Sequence, residues 1–288
     1  MRMESTVIAV PGLRDFCHVA GEHVLLAAPQ TAYSWSGGDL EPLLTTSGYD
    51  EVYGVTGSRD GVPYILVSSP HRGARIVGPE GQIKWYPKIK PLRLLGGKVA
   101  GGLLVLGQGA EFVPLGDGFC SRSFRSDVPG RPVTAAMATD GSVAALSGVE
   151  TGAVLLVDPR SGADLGRVEI PSRIASHLAF TPDGGHVYVG HRKKRFSILR
   201  DRETGEDETL GGAVGPRRPG TEIAFFDTFT GLRSGDSMLV VPNDGGPTSR
   251  VEAKGLGRAT GWGWDPAART MLVISSVSAK LGLLRFVD

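Results

Sequence analysis

Val133-Thr-Ala-Ala-Met-Ala-Thr-Asp-Gly141 and Ala175-Ser-His-Leu-Ala-Phe-Thr-Pro-Asp-Gly184 share one pattern, an apolar run that ends in an Asp-Gly turn. A second β-rich run follows each stretch, and a third run then leads to a polar turn that ends at Gly162 or Gly205. Gly141 and Gly184 are 43 residues apart, and so are Gly162 and Gly205. Two turn signals that move together indicate an internal repeat.

The repeat extends in both directions along the chain with a period of about 40 residues. Glycines that would close the first hairpin of each unit are Gly21, Gly61, Gly101, Gly141 and Gly184, with a degenerate copy at 264–268. Turns that would close the second hairpin end at Gly38, Gly81, Gly118, Gly162 and Gly205. Glycine is favoured at such places because tight hairpins need a positive φ.

Each unit therefore reads as four short strands joined by two hairpin turns and a loop, which is the content of a propeller blade. We predict an all-β, seven-bladed β-propeller as a single domain over 1–288. The last blade has three strands, and the apolar segment Ser5–Val10 is expected to supply its fourth strand and to close the ring. One first hairpin is expected to carry an expanded loop, Asp227–Asp236. The predicted blades are about 12–43, 47–90, 91–129, 131–171, 172–214, 215–257, and 258–288 with 5–10.

The stretch 133–205 resembles the WD-repeat and YVTN-type propeller families. The similarity lies in the strand and turn signatures Ala179–Gly184, Val187–Val189, Leu156–Asp158 and Ser161-Gly162, and it returns at Gly263–Pro266. No blade has a Gly-His pair followed by a Trp-Asp dipeptide in the places that the stricter WD pattern requires. The resemblance implies a propeller fold and a role in binding partners within larger assemblies.

The composition and the motifs exclude several classes of function. No apolar run reaches the roughly 18 residues that span a bilayer, so we expect a cytoplasmic protein with no membrane partner. The sequence has no phosphate-binding loop, no Gly-x-Ser-x-Gly, no His-Glu-x-x-His and no Cys-x-x-Cys. We therefore predict no cofactor, no metal and no catalytic residue.

Three polar residues fall at equivalent places in successive units, Thr134, His177 and Glu222, at the start of the innermost strand. They are expected to lie at the mouth of the central channel. One interpretation is a pocket for a small ligand. Some YVTN-like propellers are lactonases, and by resemblance Asp50 and Arg173 would join such a site. The other interpretation, which we favour, is that the residues are polar because water fills the channel.

The net charge is only +1, yet the predicted loops separate the charges. Basic residues are expected on the face formed by the loops between strands two and three and between blades, and acidic residues on the face with the hairpins. The proposed partner-binding residues on the basic face are Arg173, His191, Arg192, Lys193, Lys194, Arg195, Arg217 and Arg218.

The resulting hypothesis is a non-catalytic protein-interaction platform in a multi-protein complex, with an acidic protein as the partner. A small-molecule hydrolase resembling a lactonase, with its site at the channel mouth, is one alternative. A nucleic-acid-binding subunit is the other, and it is the weaker because the basic loops lack interleaved aromatic residues for base stacking.

Overall fold

The structure of the protein is a computed structural model. It describes residues 2–20, 23–57, 61–86, 93–95, 102–106, 110–114, 125–126, 132–138, 141–148, 152–170, 175, 177–190, 197–208, 222–226, 228–234, 237–252, 255–256, 261–265, 268–275 and 277–287.

All regular elements among these residues are strands, as the hairpin pattern predicts. In chain order they are β1 (Arg2–Ala9), β2 (Asp15–Ala20), β3 (His23–Ala28), β4 (Thr31–Trp35), β5 (Glu41–Thr45), β6 (Glu51–Gly57), β7 (Pro63–Ser69), β8 (Gly73–Gly78), β9 (Gly81–Tyr86), β10 (Arg93–Leu95), β11 (Gly102–Leu106), β12 (Ala110–Pro114), β13 (Arg125–Ser126), β14 (Pro132–Met137), β15 (Ala144–Gly148), β16 (Ala153–Val157), β17 (Asp164–Glu169), β18 (His177–Phe180), β19 (His186–Gly190), β20 (Ser197–Asp201), β21 (Asp207–Glu208), β22 (Glu222–Phe225), β23 (Phe229–Ser234), β24 (Ser237–Pro242), β25 (Ser249–Glu252), β26 (Gly261–Asp265), β27 (Thr270–Ser275) and β28 (Lys280–Val287).

The strands form seven four-stranded sheets, and in six of them the strand order follows the chain, from β2–β5 to β22–β25. The chain divides into two compact units, one made of 1–97 and 252–288 and the other of 98–251. The first unit contains the sheets β2–β5, β6–β9 and β1-β28-β27-β26, and the second contains β14–β17 and β18–β21. The assignment of 1–288 to a single domain stays a prediction.

The prediction of a seven-bladed propeller is wrong. Six sheets have at least three strands of four or more residues, whereas the described part of the sheet β10–β13 has only two, β11 and β12. Its described outer strands are three and two residues long. The described residues therefore form six developed blades.

The expanded loop predicted at Asp227–Asp236 is also wrong. Most of that stretch is β23, which pairs with both β22 and β24. Gly231 in its centre faces Met238 on the neighbouring strand, and a Cβ there would approach the thioether sulfur to 2.8 Å. Glycine at this position lets β23 pack closely against its neighbour.

The sheet that contains the C-terminal strand is completed from the other end of the chain. β1 pairs antiparallel with β28 in continuous register, from Arg2 opposite Val287 to Ala9 opposite Lys280. The bond from the Val10 amide to the Ala279 carbonyl, at 2.8 Å, continues this ladder by one residue. The outer edge of β28 is thus hydrogen-bonded rather than open to another chain.

Continuous apolar runs within strands reflect burial on both faces of a sheet. In β3, Val24 and Leu26 join a cluster with Leu272 and Leu281 of the β26–β28 sheet. The alternate residues Leu25 and Ala27 point the other way, into a cluster with residues of β6 and β7. Because successive side chains of a strand face opposite sides, a strand covered on both sides must be apolar at every position.

The four glycines that defined the repeat confirm the predicted hairpins. Gly141, Gly162, Gly184 and Gly205 have φ values of 71°, 73°, 70° and 72°. This is the left-handed conformation, which glycine adopts without steric cost.

An aspartate organises the turn in three of these hairpins. Asp158 and Asp201, 43 residues apart, each accept a hydrogen bond from the amide two residues further on, at 2.8 Å in both cases. Asp183 accepts from the Thr181 hydroxyl at 2.5 Å and from the Gly185 amide at 2.9 Å. These bonds favour the ionised carboxylate, and the bond from Thr181 is the largest cause that lowers the pKa of Asp183.

Replacing Leu281 by Ala should lower the free energy of unfolding by about 2–5 kcal/mol, because it leaves a cavity in the cluster between two sheets. Leu281 has no exposed surface. The matched control is Leu43→Ala, whose side chain is 39% exposed and whose loss should cost less than about 0.5 kcal/mol. Urea unfolding of both variants measures the difference, and equal midpoints would contradict burial of Leu281 between the sheets.

Replacing Asp183 by Asn should destabilise the protein near neutral pH and much less in acid. The pKa of Asp183 is lowered in the folded protein, so its stabilising effect is complete above the unfolded value of about 4 and is lost as the pH falls through the folded value. Urea midpoints measured from about pH 6 to about pH 3 should therefore converge with those of the wild type. Asp39→Asn, at an exposed turn, is the control. A gap that stays constant with pH would argue against this role.

Candidate functional site

The structure places Thr134, His177 and Glu222 at equivalent positions of β14, β18 and β22. The residue four positions after each of them donates its backbone amide across the turn of the first hairpin. These donors are Ala138, Thr181 and Phe226, and their hydrogen bonds measure 3.0, 3.1 and 2.9 Å, respectively. The three residues that align in the sequence repeat therefore occupy the same position in their strands.

His177 connects two adjacent sheets. Its Nε2 lies 2.8 Å from the carbonyl oxygen of Ile223 in β22, a contact in which the nitrogen must donate. Its ring is edge-on to the buried ring of Tyr188, with the centroids 6.0 Å apart, and Tyr188 in turn contacts Phe225. A ring nitrogen that donates to a carbonyl does not accept a substrate proton, so this geometry gives Nε2 no role as a general base.

Thr134 is half-buried and lies opposite Ser147 in the β14–β15 pair. Ser147 is fully buried, and its hydroxyl oxygen accepts a bond from the Ala175 amide at 3.2 Å, just before β18 begins. Glu222 lies opposite Arg233 in the β22–β23 register. Around these strand starts, the described polar contacts therefore join neighbouring sheets to one another.

The first unit contains a similar connection. One carboxylate oxygen of Asp15 in β2 accepts a hydrogen bond from the Val55 amide of β6 at 3.2 Å. In both units, a polar side chain of an inner strand thus satisfies a backbone group of the next sheet, which keeps buried backbone donors and acceptors paired.

The other residues considered for a lactonase-like site are not brought together with His177 by the described contacts. Asp50 is paired with Arg75, whose Nη2 lies 2.9 Å from a carboxylate oxygen. Arg173 lies outside the described residues. Within the part of the chain that the structure describes, no three His, Cys, Asp or Glu side chains lie together as a metal site would require. The same residues include no helix with the length and apolar content to cross a membrane.

The basic partner-binding set also lies outside the described residues: Arg173, His191, Arg192, Lys193, Lys194, Arg195, Arg217 and Arg218. Its segments connect β17 to β18, β19 to β20 and β21 to β22. Basic residues elsewhere in the chain are described, among them Arg72, Arg75 and Lys280. Lys280 donates to the Gly255 carbonyl at 2.7 Å.

One feature of the first unit was not found from the sequence. A cleft of about 520 Å³ is lined by His71, Arg72, Arg75, Gln82 and Trp85 and by the backbone of 73–74. Trp85 is 54% exposed, and Tyr49, which contacts His71, is 74% exposed. The cleft combines aromatic with cationic groups, whereas the sequence suggested basic loops without aromatic residues. The sequence gives little indication of the cleft, because Trp85 lies in a strand next to the buried Tyr86 and nothing in the order of residues marks Trp85 as exposed.

Replacing His177 by Ala should lower the free energy of unfolding by about 1–3 kcal/mol, because the Ile223 carbonyl loses its donor and the Tyr188 ring loses a packing partner. His71→Ala is the control, since His71 is exposed and its removal should cost less than about 0.5 kcal/mol. Urea denaturation followed by circular dichroism gives both values. If His177→Ala and the wild type unfold at the same urea concentration, the connection contributes no stability.

Comparison with known proteins identifies the fold. No protein-family model matches the sequence, and the search of curated proteins finds no match either. Among solved structures, the chain is similar to one in the crystal structure of a mitotic checkpoint complex, with 14% identity and a TM-score of 0.73. The similarity covers 98% of this chain and 94% of that chain, although the identity is low enough that it shows the fold alone. The chain therefore has an all-β propeller fold.

Proposed function

We propose that the chain is a non-catalytic protein-interaction platform that binds an acidic partner protein through the basic segments around 191–195 and 217–218. The observation that carries the proposal is that the described strand ends that flank these basic segments lie at one end of the sheets in the second unit. This arrangement supports a common placement of the basic residues.

His177 and Ile223 stand at the beginning of β18 and β22, and the hydrogen bond between them brings these two strand starts together. The hydrogen bond between Ser147 and Ala175 likewise brings the beginnings of β14 and β18 together. Ser147 marks the beginning of β14 because it lies opposite Thr134, and Ala175 immediately precedes β18. In an antiparallel four-stranded sheet, the connection between strands two and three emerges at the end where strand one begins. The β19–β20 connection and the connections that lead into β18 and β22 therefore share one end.

Concentrated positive charge at one end suits recognition of an acidic surface. Arg192, Lys193, Lys194 and Arg195 are consecutive, and Arg217 and Arg218 are adjacent, in a chain whose net charge is only +1. A cluster of like charge on one surface attracts an oppositely charged partner over a Debye length of about 8–10 Å and raises the association rate. A protein partner is favoured over a small substrate because the described polar groups of the inner strands join sheets together.

The similar solved chain comes from a mitotic checkpoint complex, so that propeller is found in an assembly with other proteins. Propeller folds serve many functions, and this likeness therefore supports an interaction role only in combination with the charge pattern.

Replacing Arg192, Lys193, Lys194 and Arg195 together by Glu should weaken binding of an acidic ligand by at least about tenfold, through repulsion and a lower association rate. The probe is a fluorescein-labelled decamer of glutamate, with fluorescence anisotropy as the measurement. Binding by the wild type should weaken steeply between low and physiological salt. The same variant should fail to retain natural partners that the wild type retains in a pull-down.

A second quadruple variant controls for net charge. It reverses four exposed arginines in other parts of the chain, Arg160, Arg167, Arg250 and Arg285. If both variants lose binding equally, the effect comes from net charge alone and the basic segments are not the binding surface. Thermal unfolding of each variant verifies that the fold is retained.

A further inference from the structure

The cleft beside Trp85 is built by the two outer strands of the β6–β9 sheet and by the turn between β7 and β8. In the β8–β9 register, Arg75 lies opposite Trp85 and Val77 lies opposite Gln82. Residues directly opposite each other in neighbouring strands project to the same face, so Arg75, Trp85 and Gln82 form the floor of the cleft. Its volume, about 520 Å³, is within the range of small-ligand and peptide pockets.

Trp85 is exposed and yet held in place. Its indole Nε1 donates to the Arg72 carbonyl at 3.0 Å, across the β7–β8 turn. A bond at one edge of the ring fixes its orientation and leaves much of the ring accessible. A ligand that stacks on this ring therefore gains apolar contact at little cost in side-chain entropy.

His71, in the lining of the cleft, contacts a residue of the loop that precedes β6. The ring of Tyr49 is edge-on to His71, with the centroids 5.5 Å apart and an interplanar angle of 85°. Asp50, next to Tyr49, accepts a hydrogen bond from the Arg75 guanidinium at 2.9 Å. This ion pair holds the loop against the floor and leaves Arg75 with little net charge to offer a ligand.

Arg72 is the cation that remains available. Its side chain is exposed, and among the described residues its guanidinium has no hydrogen bond or ion pair. The guanidinium can donate two hydrogen bonds to a carboxylate of a ligand, and the tryptophan ring beside it offers a flat apolar surface.

We propose that this cleft binds an extended peptide segment of a partner protein in which an acidic side chain lies within a few residues of an aromatic or aliphatic one. The carboxylate pairs with Arg72, and the apolar side chain packs against Trp85. Gln82, on the same face, offers an amide to the peptide backbone.

The charges favour a peptide over single-stranded nucleic acid. A nucleic-acid strand needs a track of cations along its phosphates, with aromatic rings for successive bases. Among the described lining residues, the Arg72 guanidinium is available, whereas Arg75 is already paired with Asp50. One available guanidinium matches one carboxylate, whereas a run of phosphates needs several cations.

This site does not depend on the proposed function. The cleft is made by residues 71–85 of the first unit, and the basic segments at 173–218 belong to the second. The variant with Arg192–Arg195 reversed should therefore bind the cleft probe as well as the wild type does.

The test uses fluorescein-labelled decapeptides of Gly and Ser that contain one Asp two residues from one Phe, with Asn–Phe and Asp–Ser versions for comparison. We expect the Asp–Phe peptide to bind with a Kd of about 10–100 μM, and each comparison peptide to bind about tenfold more weakly. Arg72→Glu and Trp85→Ala should each weaken binding at least about tenfold, while Trp85→Phe retains most of it. Arg250→Glu, at an exposed position in the second unit, is the matched control and should change nothing.

Four outcomes would overturn the proposal. They are no binding of the Asp–Phe peptide at about 1 mM, binding that Arg72→Glu and Trp85→Ala leave unchanged, tighter binding of an oligothymidine than of the peptide, and self-association of the chain that Trp85→Ala abolishes. Thermal unfolding shows whether each variant is folded. The difference in iodide quenching of tryptophan fluorescence between the wild type and Trp85→Ala reports on Trp85, which is 54% exposed.

Discussion

The structure depends on four-stranded sheets that bury apolar residues on both faces. In β3 the alternate residues enter two different clusters, and in β27 all six residues are buried, including Thr270 and Ser275. A single sheet of this kind would expose an apolar face to water, so each sheet needs a neighbour on either side. This requirement explains the repetition in the sequence: every unit has to present two apolar faces with the same spacing.

Burial on both faces also governs the polar groups. Asp15, Ser147 and His177 lie in or next to inner strands, and each uses its side chain to bond a backbone group of the adjacent sheet or segment. A backbone donor or acceptor left unpaired in such an interior costs free energy, so these side chains have a structural role. The residue that looked most like a catalytic histidine is thereby accounted for by packing and hydrogen bonding.

Binding is then expected at the ends and outer edges of the sheets, where side chains are not needed for packing. The basic segments around 191–195 and 217–218 and the Trp85 cleft are the two places proposed for it. They differ in physical character, since the first is a run of basic residues in the sequence and the second offers an oriented aromatic ring beside the Arg72 guanidinium.

The sequence by itself determined the period, the hairpin turns and the equivalence of Thr134, His177 and Glu222, because these depend on local chain geometry and on glycine at positive φ. It did not determine that β23 is a strand, since this depends on the pairing that β22 and β24 contribute. The burial of the adjacent residues Trp85 and Tyr86 was likewise not determined by the sequence. They point to opposite faces of β9, and only the tertiary structure decides that one face is covered and the other forms an open cleft.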